Sequence, residues 1–237
     1  MSVRHANQII IFFFLAALPL CNVMAESFPD KLLRIAGISA TPDKLRGEPG
    51  IVIKGNLWLV TLDESGDNEP QQITGDGTYH SPLWIPGSDK ILAIKADKLI
   101  QLDIEGGKEQ TLHVFSDLTI LVGFDKHDAN SILILQNSEP AVFSMASGQI
   151  TLLPYDIKNS ADRGALDRLR SSVINYRDYG DIKVLVSSKP IFVAGGHEEI
   201  NKIHIKDGKQ DIEMPCSEKC VQPALSWDRK QLVFVDN

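Results

Sequence analysis

The stretch SPLWIPGSDKILAI at residues 81–94 indicates the fold more clearly than any other part of the sequence. It joins a proline and a tryptophan to a polar turn, and the turn leads into a run of apolar residues. A second version, QPALSWDRKQLVF at residues 222–234, follows after 141 residues, counted between Pro82 and Pro223. A motif that returns at a distance predicts a fold built from repeated units.

Four segments share a second pattern, in which an apolar stretch, a polar turn with glycine and another β-prone stretch follow one another. They are residues 57–74, 99–113, 141–153 and 203–214, with the turn glycines Gly66, Gly107, Gly148 and Gly208. The glycines are 41, 41 and 60 residues apart, and the two prolines are also separated by three periods plus a similar excess. Both measures predict one insert in a repeat of about 41 residues.

The insert is predicted at residues 154–172, PYDIKNSADRGALDRLRSS, where the sequence has a helical pattern. Asn159 or Ser160 can cap the helix. Asp167 is spaced to meet Arg163 and Arg170 on the same face.

Continuous apolar runs and mostly polar runs alternate along each repeat. The apolar runs, typical of strands buried on both faces, are residues 91–94, 132–135, 184–186 and 232–235. The stretch after a turn glycine, such as residues 109–114, is more polar, as in a strand with one face in water. Sheets of four strands packed around an axis have this order, so the sequence predicts an all-β fold, a β-propeller.

The repeats predict about five four-stranded blades and one short helical insert. The blades are expected at residues 33–74, 75–116, 117–153 and 173–216, with a partial blade at 217–237. An unfinished blade exposes strand edges, which closed propellers avoid by joining both termini in one blade. Residues 31–36, KLLRIA, are the expected partner of the partial blade; an open or truncated propeller is the alternative.

Residues 76–94 resemble the repeat of the propeller domain of TolB, the periplasmic component of the Tol-Pal system. The shared features are the proline, the tryptophan, the polar turn and the apolar strand. Residues 223–234 are a second good match, whereas the repeats around Phe124 and Tyr176 lack the turn. The resemblance implies an exported, WD-type propeller that binds other proteins, and it extends over residues 33–237 as a periodicity.

Residues 1–25 have the features of a secretory signal peptide. Arg4 is their only charged side chain, residues 9–20 are an uncharged run, and Ala25 ends a sequence suited to cleavage. The run is too short for a bilayer-spanning helix, which needs about 20 apolar residues. A lipid-attached Cys21 is disfavoured because Leu20 is not small. We therefore predict a propeller domain at residues 26–237 in the periplasm or outside the cell, with no stable membrane span after cleavage.

Two cysteines, Cys216 and Cys220, remain after the predicted cleavage. An even number in an oxidising compartment favours a disulfide, and their spacing allows one. With Met214 they also offer soft ligands for Cu(I), so a copper-handling protein is the alternative.

The composition and the known motifs exclude several functions. The chain has 237 residues, 43% of them hydrophobic, and a net charge of −7, which disfavours a protein that binds nucleic-acid phosphates. No complete dinucleotide, phosphate-loop, zinc-protease or serine-nucleophile motif is present; His197-Glu198, for example, lacks the second histidine of a zinc site. We expect no cofactor and no enzymatic activity.

The leading hypothesis is a binding module whose partner is another periplasmic or envelope protein. Its expected surface combines the charged insert with the aromatic start of a blade, and its members are Arg163, Asp167, Arg168, Arg170, Tyr79 and His80. A propeller-type hydrolase or lyase acting on a sugar or lactone is the alternative, and it requires a histidine beside a carboxylate. Trp58, Trp84 and Trp227 are expected in the core between blades.

Overall fold

The computed structural model describes residues 27, 28, 32, 54–62, 69–105, 107–125, 127–178, 182–193, 196–206, 211–216 and 220–236. The predicted signal peptide and the turn glycines Gly66 and Gly208 lie outside these residues. Of residues 31–36, the expected partner of a fifth blade, only Leu32 is described.

Sixteen strands and one long helix make up most of the regular structure of these residues, and Phe28 and Leu32 are also helical. The strands and the long helix are β1 (Asn56–Thr61), β2 (Gln71–Gln72), β3 (Tyr79–Trp84), β4 (Lys90–Lys95), β5 (Lys98–Asp103), β6 (Glu109–Val114), β7 (Thr119–Asp125), β8 (Asp128–Gln136), β9 (Glu139–Ser144), β10 (Ile150–Leu152), α1 (Ser160–Asn175), β11 (Tyr176–Asp178), β12 (Lys183–Val193), β13 (Gly196–Lys206), β14 (Asp211–Cys216), β15 (Val221–Leu225) and β16 (Gln231–Asp236).

The strands form four antiparallel sheets of four strands each, which we call blades 1 to 4. Blade 1 has the order β15-β16-β1-β2, blade 2 β3-β4-β5-β6, blade 3 β7-β8-β9-β10 and blade 4 β11-β12-β13-β14. The first strands of the sheets lie near one another, since β15 contacts β3 and β11, and β3 contacts β7. This arrangement confirms the predicted all-β propeller.

The described residues form a propeller of four blades, so the expected number of about five is wrong. Strand β16 pairs with β1 from Asn56↔Asp236 to Thr61↔Gln231, and residues 221–236 therefore complete blade 1 instead of beginning a fifth. Hydrogen-bond pairing of the two half-blades covers the edges that each would expose alone. A repeat count cannot show that two half-repeats at opposite ends of a sequence belong to one sheet.

Burial falls from the inner strands of a blade to the outer one, as the hydropathy pattern predicts. In blade 2, all six residues of β3 are buried and the four central residues of β4 are buried. The outer strand β6 is exposed at five of its six positions. Inner strands are covered by neighbouring blades on both faces, whereas the last strand has water beside it.

Apolar clusters join the blades in pairs. Three of them connect blade 1 with blade 2, blade 2 with blade 3, and blade 4 with blade 1. Trp84 is 4% exposed and donates its indole N–H to the Ala224 carbonyl across one such contact, at 3.0 Å. The expectation for Trp227 is wrong, because this residue lies in the turn after β15 and is 62% exposed.

The predicted insert forms most of the helix α1, which continues three residues beyond it to Asn175 and packs against blade 3. Asn159 caps it by accepting a hydrogen bond from the Ala161 N–H at 2.9 Å. A fourth cluster contains buried residues of the helix, of β7 and of the N-terminal region, among them Leu166, Val122 and Phe28. The helix also contacts β11, β12 and β15, so it lies where blades 3 and 4 approach each other.

Candidate active site

Strands β12, β13 and β14 of blade 4 have one apolar face and one polar face. Val184 and Val186 on β12, with Ile203 and Ile205 on β13, are buried in the cluster shared with blade 1. Side chains alternate between the two faces of a strand, so the residues between them point to the opposite face. That face carries Ser187, Lys202, His204 and Glu213, which we call the blade 4 polar cluster.

The pairing register brings these four side chains together. Glu213 lies directly opposite His204, and Lys202 lies directly opposite Ser187. Ser187 and His204 are diagonal neighbours across β12 and β13, a separation that a long side chain such as histidine can span. The cluster is therefore a consequence of the strand register.

The distances in the cluster link a hydroxyl, an imidazole and a carboxylate in series. Ser187 Oγ lies 2.7 Å from His204 Nε2, and His204 Nδ1 lies 3.4 Å from Glu213 Oε1. The Lys202 ammonium donates to Glu213 Oε2 at 2.7 Å. The side chain of His204 is 15% exposed, so the imidazole is mostly shielded while the site still opens to solvent.

The three side chains can act as the nucleophile, the base and the carboxylate that orients the base, which nucleophilic catalysis requires. A hydroxyl is a weak nucleophile until a base within hydrogen-bond distance accepts its proton. A carboxylate beside the other ring nitrogen of the base orients the ring and stabilises its protonated form. With the Nδ1 proton of His204 directed at Glu213, Nε2 is left to accept the Ser187 proton.

Sequence reasoning missed Ser187, His204 and Glu213. Their three strands are separated along the chain, and no short motif links them. One signal is present: residues 202–206 alternate between polar and apolar, which places Lys202, His204 and Lys206 on one face of a strand. Finding the serine and the glutamate also requires the register of β12 and β14 against β13.

Neither His80 nor His127 forms such a site within the described residues. The ring of His80 is 3.0 Å from the Ser81 hydroxyl. At His127, the backbone N–H donates to Asp125 Oδ1 at 2.9 Å. The side chain of His197 lies outside what the structure describes. Among the histidines whose side chains are described, His204 lies beside a carboxylate, that of Glu213.

Tyr79, predicted for an interaction surface, is itself buried and packs beside a partly exposed ion-pair cluster in blade 2. The Lys95 ammonium lies 2.8 Å from Asp76, 2.9 Å from Glu109 and 4.9 Å from the centre of the Tyr79 ring. Tyr79 donates its hydroxyl to Glu109. Burial, followed by Glu109, raises the pKa of Tyr79 to about 12, and the hydrogen bond with Lys95 lowers the pKa of Asp76. The cluster ties β3, β4 and β6 together.

His80 is wholly buried at the contact between blades 1 and 2. Its neighbour Ser81 and the equivalent residue Gln222 both have φ of 55°, in the left-handed region that favours glycine. The two strands meet there through the Ser81 N–H, which donates to the Gln222 side-chain oxygen at 2.7 Å. His80 Nε2 has no hydrogen-bond partner among the described residues.

Burial of His80 predicts a stability that falls in mild acid. Desolvation, assisted by the charge of Lys54, lowers the pKa of His80 from 6.5 to about 4. Between these values the unfolded chain binds a proton that the folded chain does not, so the free energy of unfolding decreases as the pH falls. We expect a loss of about 2 kcal/mol between pH 6 and pH 4.5 that is absent in the variant His80→Gln. Urea unfolding at several pH values measures it, and parallel curves for the two proteins would contradict it.

The remaining members of the predicted interaction surface lie on α1. Arg170 is used within the fold, because its guanidinium donates twice to the Ser138 carbonyl, at 3.1 and 2.7 Å. Arg163 and Asp167 are exposed and Arg168 is half-buried. An interaction surface on the helix stays a prediction, and the burial of Tyr79 and His80 limits it to these three residues.

Cys216 and Cys220 are joined by a disulfide, with a Cα–Cα distance of 6.0 Å. The bond connects the end of the outer strand of blade 4 to the segment that precedes the inner strand of blade 1. Disulfides are typical of exported proteins, so this pair is compatible with the predicted location. It leaves no thiolate pair for the alternative of copper binding.

Two further observations concern membranes and metals. Among the described residues, no helix combines the length and the apolar character needed to cross a bilayer. Nor does this part of the chain contain a group of three or more histidine, cysteine, aspartate or glutamate side chains arranged to hold a metal ion.

Comparisons with known proteins found similarity in structure but none in sequence. No family model and no curated protein matches the sequence. A calcium-binding protein, regucalcin, from Agrobacterium tumefaciens str. C58 is similar over 69% of this chain, at 13% identity and a TM-score of 0.31. Oligogalacturonate lyase in complex with manganese is similar over 76% of this chain, at 13% identity and a TM-score of 0.30. The chain spans about half the length of each, 52%.

Two expectations are revised by these findings. The propeller implied by the resemblance to TolB repeats is confirmed by the four blades, but no match supports a closer relationship to TolB. The expectation that the chain is not an enzyme is corrected, because the blade 4 polar cluster places a serine, a histidine and a carboxylate in the order that nucleophilic catalysis uses.

Proposed function

We propose that this protein is a hydrolase that cleaves a carboxylic ester or a lactone, such as a sugar lactone, with Ser187 as its nucleophile. One observation carries the proposal: Ser187 Oγ lies 2.7 Å from His204 Nε2, while Glu213 lies on the other side of the same ring. A serine needs this contact to attack a carbonyl carbon at neutral pH.

The reaction has two steps that share His204. Ser187 Oγ bonds to the carbonyl carbon while its proton passes to His204 Nε2. The ester C–O bond then breaks, and the leaving oxygen takes that proton from His204, which leaves an acyl group on Ser187. A water molecule attacks the acyl carbon, giving a proton to His204, and Ser187 leaves with that proton as the carboxylic acid is released.

Lys202 and Glu213 hold the His204 ring in the orientation that this reaction needs. Their 2.7 Å ion pair holds the glutamate carboxylate beside His204, which favours the ring orientation in which Nε2 faces Ser187. An ester or lactone suits such a site because its carbonyl carbon is more electrophilic than that of an amide, whose nitrogen donates more electron density to the carbonyl.

Covalent labelling tests the proposal without knowledge of the natural substrate. A fluorophosphonate probe reacts with activated serines: a bond forms between the serine oxygen and phosphorus, and fluoride leaves. We expect one adduct per chain, located at Ser187 by fragmentation mass spectrometry, and no adduct in His204→Ala. The variant His127→Ala, whose histidine lies in a turn of blade 3, should be labelled like the wild type. Labelling that persists in His204→Ala would show that the imidazole does not activate the serine.

A further inference from the structure

The Cys216–Cys220 disulfide is attached to the end of the strand that supplies Glu213. Strand β14 ends at Cys216, and Glu213 lies three residues before it. The register places Glu213 opposite His204 and Cys216 opposite Asn201. One short strand therefore carries both the carboxylate of the blade 4 polar cluster and one half of the disulfide.

Strand β14 is the edge strand of blade 4. Among the described residues, β13 is the one strand that pairs with it, so backbone hydrogen bonds hold it from one side. Pro215, between Glu213 and Cys216, has no backbone N–H to donate. Segments with few backbone hydrogen bonds open locally at a low cost in free energy. The position of this strand end therefore depends on side-chain and covalent contacts.

The disulfide ties this edge strand to the interior of the protein. Cys220 is wholly buried in the apolar cluster that blades 4 and 1 share, immediately before β15. Met214 is buried in the same cluster, and Cys216 packs against it. Residues of a strand alternate between its two faces, so Glu213 points the other way, towards His204.

The bond to Cys220 also fixes the register of β14. A shift of one residue along β13 would turn Glu213 to the apolar face and Met214 to the polar one. The disulfide opposes this shift, because Cys216 would then point away from the buried Cys220. It thereby maintains the 3.4 Å contact between Glu213 Oε1 and His204 Nδ1.

We propose that the Cys216–Cys220 disulfide is a positioning element of the candidate active site and that its reduction lowers the activity of Ser187. The link to activity rests on the proposed function, whereas the hold on β14 does not. The reductant is a dithiol: one thiolate attacks the sulfur of the half-buried Cys216, and Cys220 leaves as a thiolate that takes up a proton. The second thiol of the reductant then displaces Cys216 as a thiol, and the reductant becomes a disulfide.

Reduction leaves β14 held by its pairing with β13 and by the burial of Met214. The end of the strand then leaves the sheet more often, and Glu213 meets His204 in a smaller fraction of molecules. In the other molecules the ring of His204 is not oriented to accept the Ser187 proton. The loss is expected in kcat and not in KM, since the change affects the base and leaves the nucleophile in place.

Reversible reduction tests the link to activity. The oxidised full-length protein, the same protein reduced with dithiothreitol and then freed of it, and Cys216→Ala/Cys220→Ala are assayed with a p-nitrophenyl ester. We expect reduction to lower kcat about tenfold with KM unchanged, re-oxidation to restore it, and the double variant to have the low rate in both conditions. The matched control is Ile132→Val, a core change between blades 2 and 3 that should keep the wild-type rate and its response to reduction.

The variant Glu213→Gln separates a positioning role from a general loss of stability. If the disulfide acts through Glu213, reduction should change the rate of this variant by less than about twofold, because the positioned carboxylate is already gone. An equal response of Glu213→Gln and the wild type overturns the proposal. Equal kcat for the oxidised and the reduced wild type overturns it as well.

Hydrogen exchange of the backbone amides measures the hold on β14 without turnover. Mass spectrometry of the oxidised and the reduced protein is expected to show about tenfold faster exchange in residues 211–216 after reduction, and unchanged exchange in β8. Unchanged exchange in β14 overturns the positioning role. If the oxidised protein hydrolyses no ester while exchange in β14 rises on reduction, the hydrolase proposal fails and the hold of the disulfide on β14 stands.

Discussion

Replacing Ser187 by alanine is expected to lower kcat/KM for a p-nitrophenyl ester by at least about 10³-fold, with little effect on KM. The change removes the atom that forms the bond to the carbonyl carbon, so the reaction loses its covalent step rather than its binding surface. His204→Ala should cause a loss of similar size, because the two residues act as one unit and their effects do not add. Initial rates at several substrate concentrations measure both.

The control for Ser187→Ala is Ser131→Ala. Ser131 lies on β8, the second strand of blade 3, just as Ser187 lies on the second strand of blade 4. Its hydroxyl donates to Asp128 at 2.6 Å and has no histidine beside it in that contact. Wild-type rates in the Ser131 variant, together with an unchanged unfolding midpoint for Ser187→Ala, would tie the loss to chemistry. A Ser187→Ala protein that retains its activity would remove the proposed function.

Placing a methyl group at Gly55 is expected to destabilise the protein by about 3 kcal/mol or more. A Cβ at this position would lie 2.7 Å from the Asp236 carbonyl carbon and 3.1 Å from a Val235 methyl group, next to the pairing of β1 with β16. The same glycine exchanges two backbone hydrogen bonds with Tyr79, at 3.0 and 2.9 Å. Gly55→Ala therefore disturbs the closure of blade 1 and its junction with blade 2 at once.

Gly75→Ala is the matched control, because a Cβ there meets nothing within 4 Å and the backbone is not in the left-handed region. Urea unfolding of both variants gives the comparison, and Gly75→Ala should be within about 0.5 kcal/mol of the wild type. Equal stability of Gly55→Ala and the wild type would mean that β1 and β16 adjust to a side chain at this point, and that the closure is looser than the contacts indicate.

Patterns that repeat along the chain made the fold predictable. Contacts between residues that are distant in sequence and meet only through strand pairing could not be predicted. The strand at 91–94 was identifiable because its burial depends on its own apolar residues, and the helix at 160–175 because the insert interrupts the period. The blade number depends on the pairing of Asn56 with Asp236, which no local pattern encodes.

The candidate site depends even more on strand pairing, which the sequence does not reveal. His204 looks like an ordinary residue of a half-exposed strand, and only its position opposite Glu213 and diagonal to Ser187 gives it a role.

Trp227 shows that a repeated motif can also mislead, because it was predicted in the core and is exposed. It repeats the motif of the buried Trp84, but it falls two residues later relative to the preceding proline and so lies in the turn instead of the strand.

The pairing of β1 with β16 also affects how the protein folds during its synthesis. Blades 2 and 3 contain only strands that are near each other in sequence, so they can assemble early from local hairpins. Blade 1 cannot, since its strands β1 and β16 come from positions 56 and 236 and must find each other across almost the whole chain. During synthesis, the edge of β1 that pairs with β16 stays unpaired until β16 emerges, and a chaperone that shields this edge would be most useful in that interval.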